Sequence, residues 1–354
     1  MARKKATGGY DLKAVRFIDP AQVGGIETAV LDDGPGRGVR VAWVNTGSPL
    51  RYKVLIDRGL DIAEAFYSSL SLAFLSYTGA TRPTRALDGG LDWLAGFYGG
   101  LVCSCGPQHV GGPVREDGVD YGLHGTHSNT PAQVEAICRP DPAAGNDAMS
   151  ITGVVRTARM FGPNVELRRT IASTLGEPVI RIRDEFTNRG NAPARHCWLL
   201  HINLGWPLVD KGARIVYRGR VTPRDDSVAW FADPARYKVV PAPVAAHRGA
   251  GEDVAFVDPT TDREGLCHVG VVNEKLPLGV EIVYRKRHFP RLVNWQHFGA
   301  GGEYVVGLEP CSGGMVGLDV PPGELAPGQT RTYECALKVL ADVAPLKAFV
   351  RRWG

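Results

Sequence analysis

The sequence has no hydrophobic run long enough to form a membrane-spanning helix. Hydrophobic residues make up 44% of the 354 residues, but no stretch approaches the roughly 18 apolar residues that a span requires. The N-terminal segment 1–5 is basic, yet no apolar run follows it, so a secretory signal peptide is not predicted. We therefore expect a cytoplasmic protein without a membrane partner.

Cysteine is scarce and shows no disulfide pattern. The chain has seven cysteines, an odd number, without the regular spacing of a disulfide scaffold. Cys103 and Cys105 have C-x-C spacing but no second pair, so they do not predict a metal or redox site. Most of the others lie in apolar segments, where a free cysteine behaves as a small hydrophobic residue. This usage favours a reducing, cytoplasmic environment.

Charge excess and the common cofactor motifs are also lacking. The formal net charge is only +4, and no long basic face carries interleaved aromatics, so no nucleic-acid partner is expected. The motifs G-x-S-x-G, H-E-x-x-H and G-x-x-x-x-G-K-[ST] are absent, which argues against a serine-hydrolase elbow, a zincin and a P-loop. The glycine-rich segment 34–38 lacks the dinucleotide fingerprint and predicts a hairpin turn. No cofactor is predicted.

Helical periodicity is rare, and alternation with a period of two dominates the chain. In residues 179–186 the isoleucines fall on one face and the arginines on the other. The 44 glycines and 25 prolines supply many turns between such segments. Short strands separated by turns predict an all-β fold, a large antiparallel β-sandwich. Further candidate strands are 39–45, 52–57, 62–67, 71–77, 149–157, 165–174, 196–203, 213–218, 267–273, 279–285, 291–296, 303–309 and 331–339.

The chain shows no internal boundary. Only residues 88–97 and 341–352 have helical character, and neither a low-complexity linker nor a repeat of fixed period divides the sequence. We predict a single domain over residues 13–354, preceded by a flexible tail at 1–12. The sequence does not decide between a monomer and a homodimer.

Three short motifs carry side chains suited to acid–base chemistry. They are Gly-Leu-His-Gly ending at Gly125, His-Ile-Asn at 201–203, and Leu-Glu-Pro at 308–310. A carboxylate and two histidines brought together from distant strands can remove a proton from one oxygen and deliver one to another. Such chemistry needs no cofactor.

These motifs, in this order, resemble those of the aldose 1-epimerases, or galactose mutarotases. Wider segments at 57–62, 99–106 and 122–132 resemble the DUF4432 branch of that superfamily, and the resemblance spans roughly residues 50 to 340. It implies a galactose mutarotase-like supersandwich and an isomerase that interconverts sugar anomers. Cys311 stands where mutarotases usually have glutamine, so the resemblance does not carry over a substrate preference.

The resemblance also implies roles for individual residues. Glu309 is the expected base, His201 the expected acid, and His124 a hydrogen-bonding partner of the sugar oxygens. Opening a pyranose requires deprotonating the anomeric hydroxyl and protonating the ring oxygen, and each positioned group contributes roughly 10²–10⁴-fold. Further candidates for substrate binding are Arg58, His109, His127, Asn129, Asn203, Trp295 and Gln296.

Structural roles remain open for these further candidates. Arg58 is nearly as well explained by an ion pair with Asp57 or Asp61, and a tryptophan such as Trp295 is more often part of a core. The role of Asn203 is open because only one residue separates it from His201. His127 and Asn129 could instead cap a turn, and His109 could lie in a loop. His124 and His201 could also be core histidines whose ring nitrogens are satisfied by backbone.

Two alternatives concern the chemistry itself. His109, His124 and His127 could together bind a divalent metal, although H-x-x-H spacing on irregular backbone is weak evidence and no metal is predicted. The expected partner is a small-molecule carbohydrate. An isomerase or lyase acting on an oxidised or keto-sugar, or a carbohydrate-binding protein without catalysis, are the competing hypotheses.

Overall fold

The structure is a computed structural model that describes residues 18–116 and 118–354. The predicted tail at residues 1–12 lies outside the described residues. Within the described residues no helix is long and apolar enough to cross a membrane. The seven cysteines are free thiols, six buried and one, Cys138, exposed.

Strands account for most of the regular structure. They are β1 Gly25–Val30, β2 Arg40–Asn45, β3 Leu50–Leu55, β4 Asp61–Tyr67, β5 Leu70–Ser71, β6 Cys103–Cys105, β7 Val114–Glu116, β8 Val119–Tyr121, β9 Gln133–Cys138, β10 Ala148–Ala158, β11 Asn164–Thr174, β12 Val179–Asn188, β13 Ala194–His196, β14 Leu199–His201, β15 Asn203–Gly205, β16 Arg214–Val216, β17 Gly219–Pro223, β18 Asp253–Pro259, β19 Leu266–Asn273, β20 Leu278–Arg285, β21 Arg291–Phe298, β22 Tyr304–Cys311, β23 Gly323–Leu325 and β24 Thr330–Ala341.

Helices are few and mostly short. The α-helices are α1 Val228–Phe231, α2 Pro234–Tyr237 and α3 Val343–Trp353, and the 3-10 turns are Pro20–Gln22, Gly34–Gly36, Arg85–Leu87, Asp92–Gly96, His127–Asn129, Asp225–Ser227 and Ala245–His247. Helix α3 confirms the prediction at 341–352. The predicted helix at 88–97 is reduced to a 3-10 segment of five residues.

Three antiparallel sheets build the sandwich. The first has the order β1-β2-β3-β4-β5, and the second the order β16-β19-β20-β24-β12-β11-β10-β9. The third has the order β17-β18-β21-β22-β14-β6, with β15 also paired to β22. One buried apolar core takes side chains from all three sheets. This confirms the predicted all-β antiparallel sandwich.

Period-two alternation accounts for the faces of the strands. In β12 the side chains of Ile180, Ile182 and Phe186 are buried, while Arg181 and Arg183 between them are exposed. The third sheet is covered on both sides. One face enters the common core, and the other carries a second apolar cluster that includes Trp93, Cys103, Cys105, Val293 and Cys311. The candidate site lies on this second face.

Most of the predicted strands are confirmed, but two segments differ. Of residues 71–77 only Ser71 belongs to a strand, and the rest makes isolated bridges at Ala73 and Leu75. Residues 196–203 are divided among β13, β14 and β15 because the chain changes partners there, from β23 to β6 and β22. The segment 34–38 does connect a hairpin, formed by β1 and β2.

Candidate active site

Glu309 and His201 lie side by side on adjacent antiparallel strands. Leu199 of β14 pairs with Cys311 of β22. Continuing that register by two residues places His201 opposite Glu309, where side chains on one face are close neighbours. His201 Nε2 lies 3.4 Å from Glu309 Oε1. The structure thus brings the two predicted catalytic residues together from strands more than 100 positions apart in the sequence.

The Glu309 carboxylate is buried and occupies the space that a side chain at Gly307 would need. Gly307 precedes it by two residues on the same face of β22, and a Cβ at Gly307 would lie 2.5 Å from Glu309 Oε1. Glu309 is 2% exposed, and its Oε1 has no hydrogen-bond partner among the described residues. Burial, and then the charge of Glu252, raise the pKa of Glu309 well above its ordinary value. This carboxyl is therefore a strong proton acceptor when ionised.

Asn203 fixes the tautomer of His201. Asn203 Nδ2 donates hydrogen bonds to the carbonyls of Gly99, Gly100 and His201. Its Oδ1 is left to accept from His201 Nδ1, 2.5 Å away, which assigns the proton to Nδ1. Nε2, facing Glu309, is then unprotonated in the neutral ring. Burial lowers the pKa of His201 to about 4, although the bond to Asn203 acts in the opposite direction.

The single residue between His201 and Asn203 has a simple structural meaning. Ile202 is fully buried in the common core. Since neighbouring residues of extended chain point to opposite faces, His201 and Asn203 share the face that carries Glu309. Asn203 therefore acts on the imidazole directly, which answers the question that its short spacing left open.

His124 completes the polar part of the cluster. It has a left-handed backbone, with φ of 59°, held by hydrogen bonds from Gly106 N to its carbonyl and from its N–H to the carbonyl of Gly111, both 2.9 Å. Gly111 N also donates to His124 Nδ1 at 3.3 Å, so Nε2 carries the proton in the neutral ring. The ring centroid lies 5.4 Å from that of His201. Burial, with the nearby His201, lowers the pKa of His124 well below its ordinary value.

Three aromatic rings form a wall around this cluster. The centroids of Phe97 and Trp295 each lie 5.3 Å from the His201 ring, and that of Trp93 lies 6.3 Å away. Trp93 also stacks on Phe97 and contacts His124, both at 4.7 Å. An apolar wall excludes water and provides a face on which a sugar ring can pack. The predicted Trp295 is part of it.

A carboxylate outside the predicted set holds Trp295 in place. Trp295 Nε1 donates to Glu252 Oε2 at 2.8 Å, and Arg224 Nη1 donates to Glu252 Oε1 at 2.8 Å. Glu252 is half-buried and, through its charge, acts on Glu309 as described above. Glu252 directly precedes β18, so its bond to Trp295 joins the start of that strand to the edge of the candidate site.

Arg58 is buried against backbone rather than facing the cluster. Its Nε donates to the carbonyl of Ser128, Nη1 donates to the carbonyl and hydroxyl of Thr81, and Nη2 donates to the carbonyl of Gly96. The guanidinium also lies over the ring of Tyr98. With four of its five N–H groups engaged and 2% exposure, Arg58 supports the segment that carries Trp93 and Phe97. It does not reach the sugar site predicted for it.

The alternative ion pair is not formed either. Asp57 pairs with Arg40 at 2.6 Å, and Asp61 pairs with Arg169 at 2.6 Å. Both carboxylates therefore pair with other arginines. Arg58 makes neither the predicted sugar contact nor the predicted ion pair, and it binds backbone carbonyls instead.

His127 and Asn129 are also held by backbone. His127 Nε2 lies 3.0 Å from the carbonyl of Gly59, and its ring meets Trp198 edge-on at 4.7 Å. Asn129 Oδ1 accepts from Thr84 N at 3.0 Å, and its Nδ2 donates to the Thr84 carbonyl. Neither side chain joins the Glu309 cluster.

Gln296 lies on the opposite face of β21 from Trp295. Its Oε1 accepts from Trp230 Nε1 at 2.8 Å, and its Nε2 donates to the carbonyl of Tyr237 at 2.8 Å and to Asn294. Because consecutive residues of a strand alternate in direction, Trp295 and Gln296 cannot both face the site. The predicted contact of Gln296 with substrate is not supported.

His109 lies beside a different cavity. Its Nε2 contacts the carbonyl of Gly112 at 2.7 Å, and its ring stacks on Tyr121 at 5.4 Å. Together with Asn129 it lines a cavity of about 500 Å³, which does not include Glu309 or His201. Two predicted site residues thus line this cavity rather than the cluster of Glu309 and His201.

The metal alternative finds no support in the geometry. In residues 18–116 and 118–354, no three histidine, cysteine, aspartate or glutamate side chains are grouped so that they could hold a metal ion. His109, His124 and His127 make separate contacts with Gly112, Gly111 and Gly59.

Four further residues shape the site but were not predicted. Trp93 and Phe97 are spaced i, i+4 in the predicted helical segment 88–97, so their common face was detectable in the sequence. Gly307 lies inside the apolar strand before Glu309, where an isolated glycine signals close approach of another group. Glu252 has no such signal, because only the tertiary fold brings it to Trp295.

The cluster of Glu309, His201 and His124 lies on the outer face of the third of the three large antiparallel sheets. The sequence profile of the family described as "Domain of unknown function (DUF4432)" matches residues 36–339. The chain belongs to this family. No curated protein sequence matches it at a significant level.

Solved structures of low sequence identity share the fold. A candidate aldose 1-epimerase from Klebsiella pneumoniae is 23% identical, with a TM-score of 0.83 over 92% of this chain and 86% of that one. A galactose mutarotase-like protein from Clostridium acetobutylicum is 11% identical, with a TM-score of 0.62 over 90% and 99% of the two chains. Galactose 1-epimerase from Lactobacillus acidophilus is 10% identical, with a TM-score of 0.55 over 90% and 99%. These similarities establish a galactose mutarotase-like fold.

Proposed function

We propose that this protein is an aldose 1-epimerase-like isomerase, which interconverts the anomers of a small-molecule carbohydrate by opening and closing its ring. The contact between Glu309 Oε1 and His201 Nε2, 3.4 Å apart, carries the proposal. The anomeric hydroxyl and the ring oxygen are bonded to the same carbon, so their base and acid must be close neighbours. The aromatic wall and the shared fold with mutarotases support the same substrate class.

The two residues can act as one proton-exchanging pair. With Glu309 ionised and His201 protonated, Glu309 takes the proton of the anomeric hydroxyl while His201 delivers its Nε2 proton to the ring oxygen. The C1–ring oxygen bond breaks, and the product is an open-chain aldehyde beside a neutral pair. The C1–C2 bond then rotates. As the ring closes, His201 removes the proton from the hydroxyl that was the ring oxygen, and Glu309 protonates the aldehyde oxygen. Atoms and charge balance without a cofactor.

The surrounding residues prepare this pair. Asn203 keeps the Nδ1 proton in place, so that Nε2 is the nitrogen that exchanges protons. His124, with its proton on Nε2, can donate a hydrogen bond to a sugar oxygen beside the pair. Burial favours the form in which the pair as a whole is neutral, since an isolated charge is costly there.

The expected pH dependence follows from the pair holding one proton. Because the pKa of His201 is lowered to about 4, the inactive form with both groups protonated accumulates only in acid. We expect activity to be constant from about pH 5 to neutrality and to fall below about pH 5. The apparent pKa values of this profile belong to the pair rather than to either residue.

Exchange spectroscopy by NMR would test the proposal across a panel of aldoses, uronic acids and keto-sugars. The protein should accelerate anomer exchange of at least one sugar, and Glu309→Gln should reduce that rate by about 10²–10⁴-fold. Glu324→Gln is the matched control, because Glu324 is exposed on β23, and it should leave the rate unchanged.

Two outcomes would contradict the proposal. Incorporation of solvent deuterium at carbon would indicate an isomerase or lyase that removes a carbon-bound proton. Sugar binding without exchange of any sugar, unaffected by Glu309→Gln, would indicate a carbohydrate-binding protein.

A further inference from the structure

The outer face of the third sheet continues beyond the acid–base cluster. On β21, Val293 lies opposite Glu309, Trp295 lies opposite Gly307, and His297 comes two residues further along the same face. Since a strand rises about 3.3 Å per residue, His297 lies about 13 Å along the sheet from the level of Glu309, with Trp295 midway. A single pyranose ring held at Glu309 can pack on Trp295 but is too short to reach His297.

The opposite direction along this face is closed. Beyond Glu309 the row continues with Cys311 of β22, next to Leu199 of β14 and Cys105 of β6. All three side chains are fully buried in the second apolar cluster. Along the strands, a substrate held at Glu309 can therefore extend only toward His297.

A chain of contacts leads from Trp295 to the surface. The ring centroids of Trp295 and His297 lie 6.4 Å apart, and His297 Nε2 lies 3.7 Å from Glu303 Oε2. The Tyr77 hydroxyl donates to Glu303 Oε1 at 2.9 Å, while Tyr77 is 86% exposed. An exposed aromatic ring whose hydroxyl is fixed by a carboxylate offers an apolar face beside polar groups.

The segment that carries Tyr77 is joined to the aromatic wall. Ser76 Oγ and Thr78 Oγ1, on either side of Tyr77, both donate to the carbonyl of Phe97. The Phe97 ring in turn meets Trp295 edge-on at 6.3 Å. Tyr77 therefore extends the wall of the candidate site outward, in the direction that leads away from the acid–base cluster.

His297 and Glu303 present acceptors that lack donors. His297 Nδ1 lies 2.6 Å from the carbonyl of Gly251 and must donate to it, so Nε2 of the neutral ring is an acceptor. Its separation of 3.7 Å from the Glu303 carboxylate is too long for a hydrogen bond. Among the described residues, the buried polar atoms without a partner include Glu309 Oε1 but neither of these two, so both can be reached from solvent. Sugar hydroxyl groups would supply the missing donors.

We propose that Tyr77, His297 and Glu303 form a second sugar subsite, which holds the second unit of a reducing disaccharide or longer saccharide. This inference rests on the proposed function, which places the reducing unit at Glu309. A second unit linked across the ring from the anomeric carbon extends past Trp295 into the subsite. There it packs against Tyr77, and its hydroxyl groups donate to Glu303 and to His297 Nε2.

Calorimetric titration of the full chain carrying Glu309→Gln tests the subsite without turnover. The probes are glucose with cellobiose, galactose with 1,4-linked galactobiose, and mannose with 1,4-linked mannobiose, so that each pair shares its reducing unit. At least one disaccharide should bind at least about tenfold more tightly than its monosaccharide. Adding Tyr77→Ala and Glu303→Gln together should abolish that preference.

Phe161→Ala combined with Glu324→Gln is the matched control and should keep the preference. Phe161 is 99% exposed between β10 and β11, and Glu324 is exposed on β23. Equal affinities within every pair would overturn the subsite, as would a preference that survives Tyr77→Ala with Glu303→Gln. Failure of all the sugars to bind at millimolar concentration would overturn it as well.

Anomer exchange, measured on the same sugars with the parent protein, decides the proposed function separately. A disaccharide preference without exchange would support the subsite and contradict the isomerase. Exchange without a disaccharide preference would support the isomerase and overturn the subsite.

Discussion

The position of the Glu309 carboxylate depends on the absence of a side chain at Gly307. A Cβ there would come within 2.5 Å of Glu309 Oε1 and 3.0 Å of the Trp295 ring. We expect Gly307→Ala to displace the carboxylate from His201 and to lower kcat by about 10²-fold, since small misplacements of a reacting group are costly. Steady-state kinetics and circular dichroism would measure activity and fold together.

Gly89→Ala provides the control for this substitution, because nothing lies within 4 Å of its Cβ position. It should retain full activity. Full activity in Gly307→Ala as well would mean that the carboxylate can perform its role from a different position.

Burial of Glu309 also has a consequence for stability. Its ordinary pKa is 4.5, and the folded state raises it. Above pH 4.5 the unfolded chain releases a proton that the folded protein keeps, so this group lowers stability as pH rises. Glu309→Gln removes that effect, and its amide can donate to His201 Nε2. We expect the variant to be more stable than the parent by about 1–3 kcal/mol at pH 8, with a smaller difference near pH 4.5, as measured by denaturant unfolding.

If the stability difference between Glu309→Gln and the parent does not change with pH, then folding does not shift the pKa of Glu309. Asp33→Asn, on an exposed turn, controls for the loss of one carboxylate and should show no such trend. A stabilised but inactive variant would identify Glu309 as a group kept for function at the expense of stability.

At this scale, residue type and strand position singled out Glu309 and His201, and the resemblance to the mutarotases supplied the roles of base and acid that remain predictions. The contacts of Arg58, Gln296 and Asn129 could not be predicted in the same way. Gln296 follows Trp295 in a strand that is mostly buried and carries polar side chains on both faces, so alternation does not reveal which face holds the site. Its true partners, Trp230 and Tyr237, come from a separate part of the chain.

At the scale of elements, Arg58 supports the segment that carries two members of the aromatic wall, Trp93 and Phe97. Arg58 joins the carbonyls of Thr81, Gly96 and Ser128, which belong to segments on both sides of Trp93. Lysine keeps the charge but not the planar fork of donors. We therefore expect Arg58→Lys to lower the free energy of unfolding by about 1–3 kcal/mol, because backbone acceptors lose their buried donors.

Hydrogen exchange provides the specific readout for this substitution. The amides of residues 79–97 should exchange faster in Arg58→Lys, and KM should rise more than kcat falls, since the wall packs against substrate but does not exchange protons. Arg263→Lys should change neither quantity. Unaltered exchange over 79–97 would contradict the supporting role of Arg58.

The elements themselves were predictable where the pattern was regular. Residues 179–186 alternate cleanly because β12 lies in the middle of the second sheet and buries only one face. The segment 71–77 has the same composition as a strand but makes only isolated bridges to Leu204 and Gly99. Whether a segment pairs as a strand depends on which other segments lie beside it in the fold, and the residues of the segment itself do not reveal this. The short strands β7, β8 and β13 fall below the length at which alternation can be recognised.

At the scale of the molecule, one buried ionic network connects all three sheets. Arg169 of β11 binds Asp61 of β4 at 2.6 Å, Asp184 of β12 at 2.7 Å and Ser104 of β6 at 2.9 Å. The three charged side chains are at most 1% exposed. Arg169 counteracts the rise that burial imposes on the pKa of Asp61. A charge centre shared by three sheets favours their folding as one unit.

This network leads to a prediction about the domain organisation. If residues 13–354 form a single domain, circular dichroism and tryptophan fluorescence should report one coincident unfolding transition. Arg169→Met leaves two carboxylates buried without a cation, so it should lower the free energy of unfolding by about 3–5 kcal/mol while the two probes still coincide. Arg181→Met, which removes an exposed pair with Glu177, should cost less than about 1 kcal/mol. Two transitions in one probe, or different transitions in the two probes, would contradict a single domain. The chain would then fold as independent parts, and the network would stabilise only one of them.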